Sequence, residues 1–226
     1  VATVHYHRNY NNLFWNGSQL AVGGGDGEVF GNLASSPTMI GRGLANGVVQ
    51  FTAGFRPLGQ QGALAVHFAD VFGVLFEQWL KRQPVEQATW LIGADVLEPE
   101  LRGAALRSLK APGTAFRDPK LGGKDVQPDH MDDYVETAAD QGGIHINSGI
   151  PNRAFYVTAT TLGGYAWERA GRIWYLSLLE LQPGTGFRDF ANRTYAVATK
   201  EFGDDSRERA AVGRGWAAVG IRVVEP

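Results

Sequence analysis

The stretch GALAVHFADVFGVLFEQWLKR, residues 62–82, places Leu64, Phe68, Val71, Phe72, Leu75 and Trp79 three and four residues apart. At 3.6 residues per turn these side chains form one stripe, so the segment reads as a helix with that face against a core. The segment before it is harder to place. GRGLANGVVQFTAGF, residues 41–55, carries Gly41, Gly43 and Gly47, and each glycine costs about 1 kcal/mol against alanine in a helix interior. Ser36 as N-cap and Pro37 at the first helical position still set a helix from 37 to about 53. Glycines on a core-facing helix have no obvious use, and the segment reads as one that has lost side chains.

Upstream the period is shorter. ATVHYH and NLFWNGSQLAV alternate well enough for two strands with a turn at Asn16-Gly17. GGGDGEVFG, residues 23–31, is a glycine-rich turn, because no Gly-Lys-Ser/Thr ending follows it and no βαβ frame surrounds it. Residues 83–135 carry Pro, Gly and Asp at short intervals and read as irregular chain with brief helical turns. Helices are expected again at about 137–141, 147–163, 165–182, 187–202 and 206–219, with Asp204 or Asp205 capping the last. The expectation is an α+β chain: a small β-rich portion over 1–34 and a mainly α-helical domain over 35–226.

The charge balance narrows the function classes. Twenty-one Lys and Arg against 23 Asp and Glu give a net charge of −2, and no run forms a basic stripe, so nucleic acid is not an expected partner. With no cysteine, disulfides, thiolate metal sites and thiol nucleophiles are excluded. The apolar stretches are broken by charge or glycine, so no membrane span is expected. Compartment stays open between cytoplasmic and secreted.

VHYHRNYNNLFWNGSQL, FTAGF, GALAVHFADVFG, LRSLKAPGTAFRDP, QPDHMDDYV and GGIHINSGIPNRAFY together resemble the thermolysin-like zinc metallopeptidases of bacteria, most closely their protealysin-type branch. The match runs in order through nearly the whole chain, and it implies the thermolysin-like fold with a truncated β-rich lobe ahead of the helical domain. Anchored on FTAGF, the resemblance puts the His-Glu-x-x-His motif on Arg42-Gly43-Leu44-Ala45-Asn46 and the third, glutamate ligand on Val66. Two histidines four apart on a helix hold zinc while the glutamate activates its water, a motif and ligand set that serve as standard examples of this chemistry. Arg42, Gly43, Asn46 and Val66 supply none of those donors. The expectation is therefore no cofactor: no zinc, and doubtful calcium. Asp26, Glu77, Asp95 and Asp140 are calcium-compatible and Glu77 matches a family calcium position, but Leu91 and Ala94 stand where relatives carry acids.

Other site positions survive in the resemblance. Asn12 aligns with a group that bonds substrate backbone, Arg107 with one that holds a substrate carbonyl, and His145 with a transition-state stabiliser whose carboxylate partner is Asp140. Asp70 aligns with the acid that orients the first zinc histidine, and a charge-assisted bond from Arg42 to Asp70 would satisfy both groups. The transition-state tyrosine falls on Pro57. His67, beside Val66, points about 100° away around the helix.

Two functions follow. In one, the chain is a non-hydrolytic homologue whose cleft, lined by Asn12, Arg107 and His145, with Asn46 and Asp70 as further ligand-binding candidates, binds a peptide, a small molecule or a partner. In the other, it is a metal-independent enzyme, such as a biosynthetic cyclase or isomerase, with His145 and Asp140 as an acid–base dyad and Arg42 as anion stabiliser. A missing lobe would leave apolar surface for a partner or a second copy, so a homodimer is a further expectation.

Overall fold

Helices α1 (Pro37–Phe51) and α2 (Gly59–Lys81) pack along each other at the centre of the computed structural model, which describes residues 1–101 and 104–224. The glycines of α1 make that packing close. A Cβ on Gly41 would meet the Cα of Gly73 at 2.9 Å, and one on Gly43 would meet Leu20 Cδ1 at 2.4 Å. One on Gly47 would stand 2.9 Å from the Trp15 ring. Gly41 thus lets α2 approach, while Gly43 and Gly47 let a sheet lie on the opposite flank of α1. That is a packing reason for residues that helix propensity alone disfavours. Ser36 caps α1, its hydroxyl accepting from Met39 N–H at 3.3 Å, with Pro37 in the first turn.

The sheet is β1 (Ala2–Thr3), β2 (Leu13–Trp15) and β3 (Leu20–Val22), in the order β1-β3-β2, with β3 parallel to β1 and antiparallel to β2. Asn16 closes the β2–β3 hairpin by accepting from the N–H groups of Ser18 and Gln19, and Gly17 takes φ +97°. The expected strand over ATVHYH stops at Thr3. His5, His7 and Asn9 each have φ +54°, a left-handed backbone that breaks the pleat, so the two histidines do not share a strand face.

Beyond α2 come the two-stranded pairs β4 (Leu91–Ile92) with β5 (Arg107–Ser108) and β6 (Arg117–Asp118) with β7 (Gly123–Lys124). Then follow α3 (Asp140–Asn147), α4 (Gly149–Leu162), α5 (Ala170–Leu178), α6 (Phe187–Phe202) and α7 (Arg207–Ala217). The cap of α7 is Ser206, which accepts from Arg209 N–H, rather than Asp204 or Asp205. One core joins Leu13, Leu20 and Val22 of the sheet to Leu64, Phe68 and Val71 of α2 and to Trp174, Phe190 and Trp216 of the later helices. By length and composition α2 would suffice to cross a membrane, contrary to the sequence reading, yet most of that stretch is buried inside the protein. Trp79, placed on the buried stripe, is 45% exposed at the C-terminal end of α2, next to Arg82.

Candidate functional site

Asp70, on the buried face of α2, is fully buried and collects donors from three other elements. Arg42 of α1 donates Nε–H to Oδ1 at 2.6 Å, Arg107 of β5 donates Nη1–H to Oδ1 at 2.9 Å, and Asn152 of α4 donates Nδ2–H to Oδ2 at 2.9 Å. Burial would raise the carboxyl pKa, but the Arg107 and Arg42 charges and these bonds outweigh it and hold the group below the ordinary carboxylate range. Arg42 is lowered from its usual value by burial and by the neighbouring Arg107 charge, against the pull of Asp70; its guanidinium stays protonated. The expected Arg42–Asp70 bond is thus present, within a larger cluster.

The network continues inward. Asn152 turns its Nδ2 toward Asp70, so its Oδ1 is the acceptor for His67 Nδ1, 2.8 Å away. Trp174 donates Nε1–H to His67 Nε2 at 2.8 Å. Since indole only donates, the proton of the neutral ring is assigned to Nδ1. Burial presses the His67 pKa down from 6.5 to about 4, against the opposing effects of the Asn152 bond and the Asp70 charge. His67 does turn away from the Val66 position, and it ends wholly inside the core.

The second carboxylate pair stands on α3. Asp140 has φ +51° and is followed by Gln141, Gly142 and Gly143, all left-handed. This winding curls the chain back so that Asp140 accepts twice from one residue: His145 N–H at Oδ2, 2.6 Å, and His145 Nδ1 at Oδ1, 2.7 Å. The His145 side chain is 53% exposed, and its backbone carbonyl accepts from Gln127 Nε2 at 2.7 Å. A carboxylate on Nδ1 fixes the tautomer and leaves Nε2 without a partner among the described residues, the arrangement an acid–base imidazole needs.

The remaining expected site residues are less engaged. Asn12 is exposed, and its Oδ1 takes the N–H of Leu13 at 2.8 Å. Asn46 is half-buried, with no hydrogen-bond partner among the described residues, and Val66 is 8% exposed. Leu20 fills the space beside Gly43, and Pro57 is exposed. Of the four calcium-compatible acids, Glu77 and Asp95 line one cavity, and each acid has its own partners: Asp26 takes Asn11 and three backbone N–H groups, Glu77 takes Lys81 Nζ at 2.7 Å, Asp95 takes the Ser36 hydroxyl, and Asp140 takes His145. Sequence reasoning missed Asn152, Gln127 and Trp174. No local signal marks them, because Asn152 meets Asp70 across 82 residues and Trp174 meets His67 across 107.

Comparison with known proteins places the chain. Residues 53–221 match the alpha-helical domain of the thermolysin metallopeptidases, and residues 1–50 match their catalytic domain. Protease PrtS of a Photorhabdus species is 45% identical over 229 residues, covering 100% of this chain and 61% of the relative. An extracellular metalloprotease of Pectobacterium carotovorum is 44% identical over 225 residues, covering 99% of this chain and 64% of the relative. Among solved structures, the precursor of protealysin, a metalloproteinase from Serratia proteamaculans, superposes with a TM-score of 0.93 at 46% identity, covering 97% of this chain and 68% of that one. The chain spans somewhat less than two thirds of the length of the two curated relatives.

The chain belongs to the thermolysin metallopeptidase family. This corrects one expectation. Sequence reading struck out zinc and doubted calcium, whereas the family is one of metallopeptidases, so a metal cofactor goes with membership and the expectation of none is withdrawn. The correction stands at the level of the family. In this chain the positions that resemble the zinc site hold Arg42, whose guanidinium is bonded to Asp70, together with Gly43, Asn46 and Val66.

Proposed function

We propose that this member of the thermolysin metallopeptidase family binds a peptide and holds it without cutting it. One observation supports the reading: Arg42, Gly43, Asn46 and Val66 occupy the positions that resemble the hydrolytic apparatus, while Asn12, Arg107 and His145, which resemble substrate-recognition groups, are present and keep polar atoms unpaired among the described residues. Recognition of a peptide backbone needs only such donors and acceptors in fixed positions, whereas hydrolysis also needs an activated water. Arg107 is fixed by Asp70, which in turn is fixed by Asn152.

The test is to incubate the purified chain with a mixed pool of unmodified peptides, recover the bound fraction and weigh it by mass spectrometry, with the metal content of the same sample measured. Bound peptides recovered intact support the reading. Products that accumulate with time overturn it.

A second reading is supported by the His145–Asp140 dyad, with Nδ1 and Oδ1 2.7 Å apart and the His145 side chain about half exposed. Here the chain is an enzyme whose own imidazole moves the proton. It differs from the first in the response to His145→Ala: turnover would fall by a factor of about 10²–10⁴, whereas a peptide binder would keep most of its affinity.

A further inference from the structure

The cluster around Asp70 carries a charge imbalance. Two guanidiniums share one carboxylate, so Arg42, Arg107 and Asp70 together hold one surplus positive charge. Asp70 has no capacity to spare, since Oδ1 already accepts from both arginines and Oδ2 from Asn152 and, at 3.3 Å, from Arg107. Arg42 uses only Nε and Arg107 only Nη1, and their remaining N–H groups have no partner among the described residues. Those nitrogens keep some contact with solvent, and the two side chains are 16% and 13% exposed. The free edges of the guanidiniums therefore reach solvent from a setting that is mostly protein.

A surplus charge this poorly hydrated is costly to leave alone, and an anion from solution relieves it. The imbalance also selects the anion. One surplus charge is balanced by a monoanion, whereas a phosphate dianion would leave a net negative charge in the same place. The free edge of a guanidinium is a planar fork matched to the two oxygens of a carboxylate, which it binds with two parallel hydrogen bonds. Both forks are held in place, Arg42 by its bond to Asp70 and by the packing of its stem against Gly73, and Arg107 by its own bond to Asp70. Little side-chain entropy remains to be lost on binding.

Taking the peptide-binding reading as premise, we infer that Arg42 and Arg107 form a clamp for a peptide carboxylate, with Asp70 as the positioning residue that aims the two guanidiniums. The carboxylate is either the C-terminus of the bound peptide or an acidic side chain within it.

The experiment uses one N-acetylated alanine–leucine pentapeptide in three forms: a free C-terminal carboxylate, a C-terminal amide, and the amide with glutamate at its central position. Binding to the wild-type chain and to Arg42→Gln is measured by titration calorimetry. The variant leaves Asp70 paired with Arg107 and Asn152 and removes the surplus charge, and circular dichroism checks that it folds. The clamp is supported if at least one carboxylate form binds about tenfold or more tightly than the plain amide, with the preference erased in Arg42→Gln. Preference for the free acid marks the C-terminus as the source, and preference for the glutamate form marks the side chain. Equal binding of all three overturns the clamp and leaves the peptide-binding reading in place. Equal preference in wild type and Arg42→Gln overturns Arg42's part and with it the clamp. Absence of binding by all three overturns both readings together.

Discussion

Two aspartates with both oxygens engaged sit in opposite surroundings. Asp70 is fully buried and bound by residues 28, 37 and 82 positions away; the Asp140 side chain is 26% exposed and bound by one residue five positions away. The first pairing exists only because α1, α2, α4 and β5 are assembled. The second comes from a left-handed turn and its glycines. A buried charge that depends on assembly is strongly coupled to folding, whereas an exposed charge held by a local turn is coupled weakly. One aspartate therefore organises the interior, and the other holds a single histidine at the surface.

The widest separation between them is expected on removing each carboxylate. Asp70→Ala leaves two adjacent, mostly buried guanidiniums without a counter-charge and should cost about 3–5 kcal/mol. Asp140→Ala should cost about 1 kcal/mol or less. Urea denaturation of the two variants measures both, and losses of equal size would break the comparison.

The next effect is in pH. His67, tied to Asp70 through Asn152, stays neutral in the folded chain down to about pH 4, whereas in the unfolded chain it takes a proton near 6.5. In that window the unfolded state binds more protons, so stability falls as pH drops from 6.5 to 4 and is unaffected above 7; the loss is on the order of 3 kcal/mol. Asp70, whose pKa is depressed, adds a further loss only once pH falls below its unfolded value of 3.8. Unfolding free energies between pH 7 and pH 4 should show the slope in wild type and a flatter one in His67→Leu. A slope unchanged by that substitution would remove His67 from the buried side of the comparison.

The smallest effect is steric and tests the support under Arg42. Gly43→Ala gains about 1 kcal/mol of helix propensity but puts a Cβ 2.4 Å from Leu20 Cδ1. Overpacking of this kind costs about 1–3 kcal/mol, so the net result should be a loss of roughly 1 kcal/mol, recovered when Leu20→Val makes room. A stabilised single variant would mean that Leu20 turns aside freely and that the glycine has no packing role.

Much of the framework was legible in the sequence. The stripe from Leu64 to Leu75 gave α2, and the Ser36-Pro37 pair gave the start of α1, because helix period and capping act within one or two turns. The resemblance carried by FTAGF, GALAVHFADVFG and GGIHINSGI led to the family and brought Asp140 and His145 into one expectation. The cofactor reading went astray because four side chains describe a site, whereas a family is described by the whole chain. The glycines of α1 were read as losses. Their positions facing Gly73, Leu20 and Trp15 show them as points of close approach, which helix propensity cannot register.

By itself, then, the sequence determined most of the helices, the hairpin at Asn16-Gly17 and the family, all of which rest on local geometry or on ordered similarity along the chain; the helix expected at 137–141 is instead irregular chain and a left-handed winding that opens α3. Tertiary structure alone decided that Asn152 and His67 link Trp174 to Asp70, and that two arginines meet on one buried carboxylate and leave a charge over. The physical reason is distance along the chain: each of these bonds joins residues tens of positions apart, and no periodicity, cap or turn records such a meeting before the elements are packed.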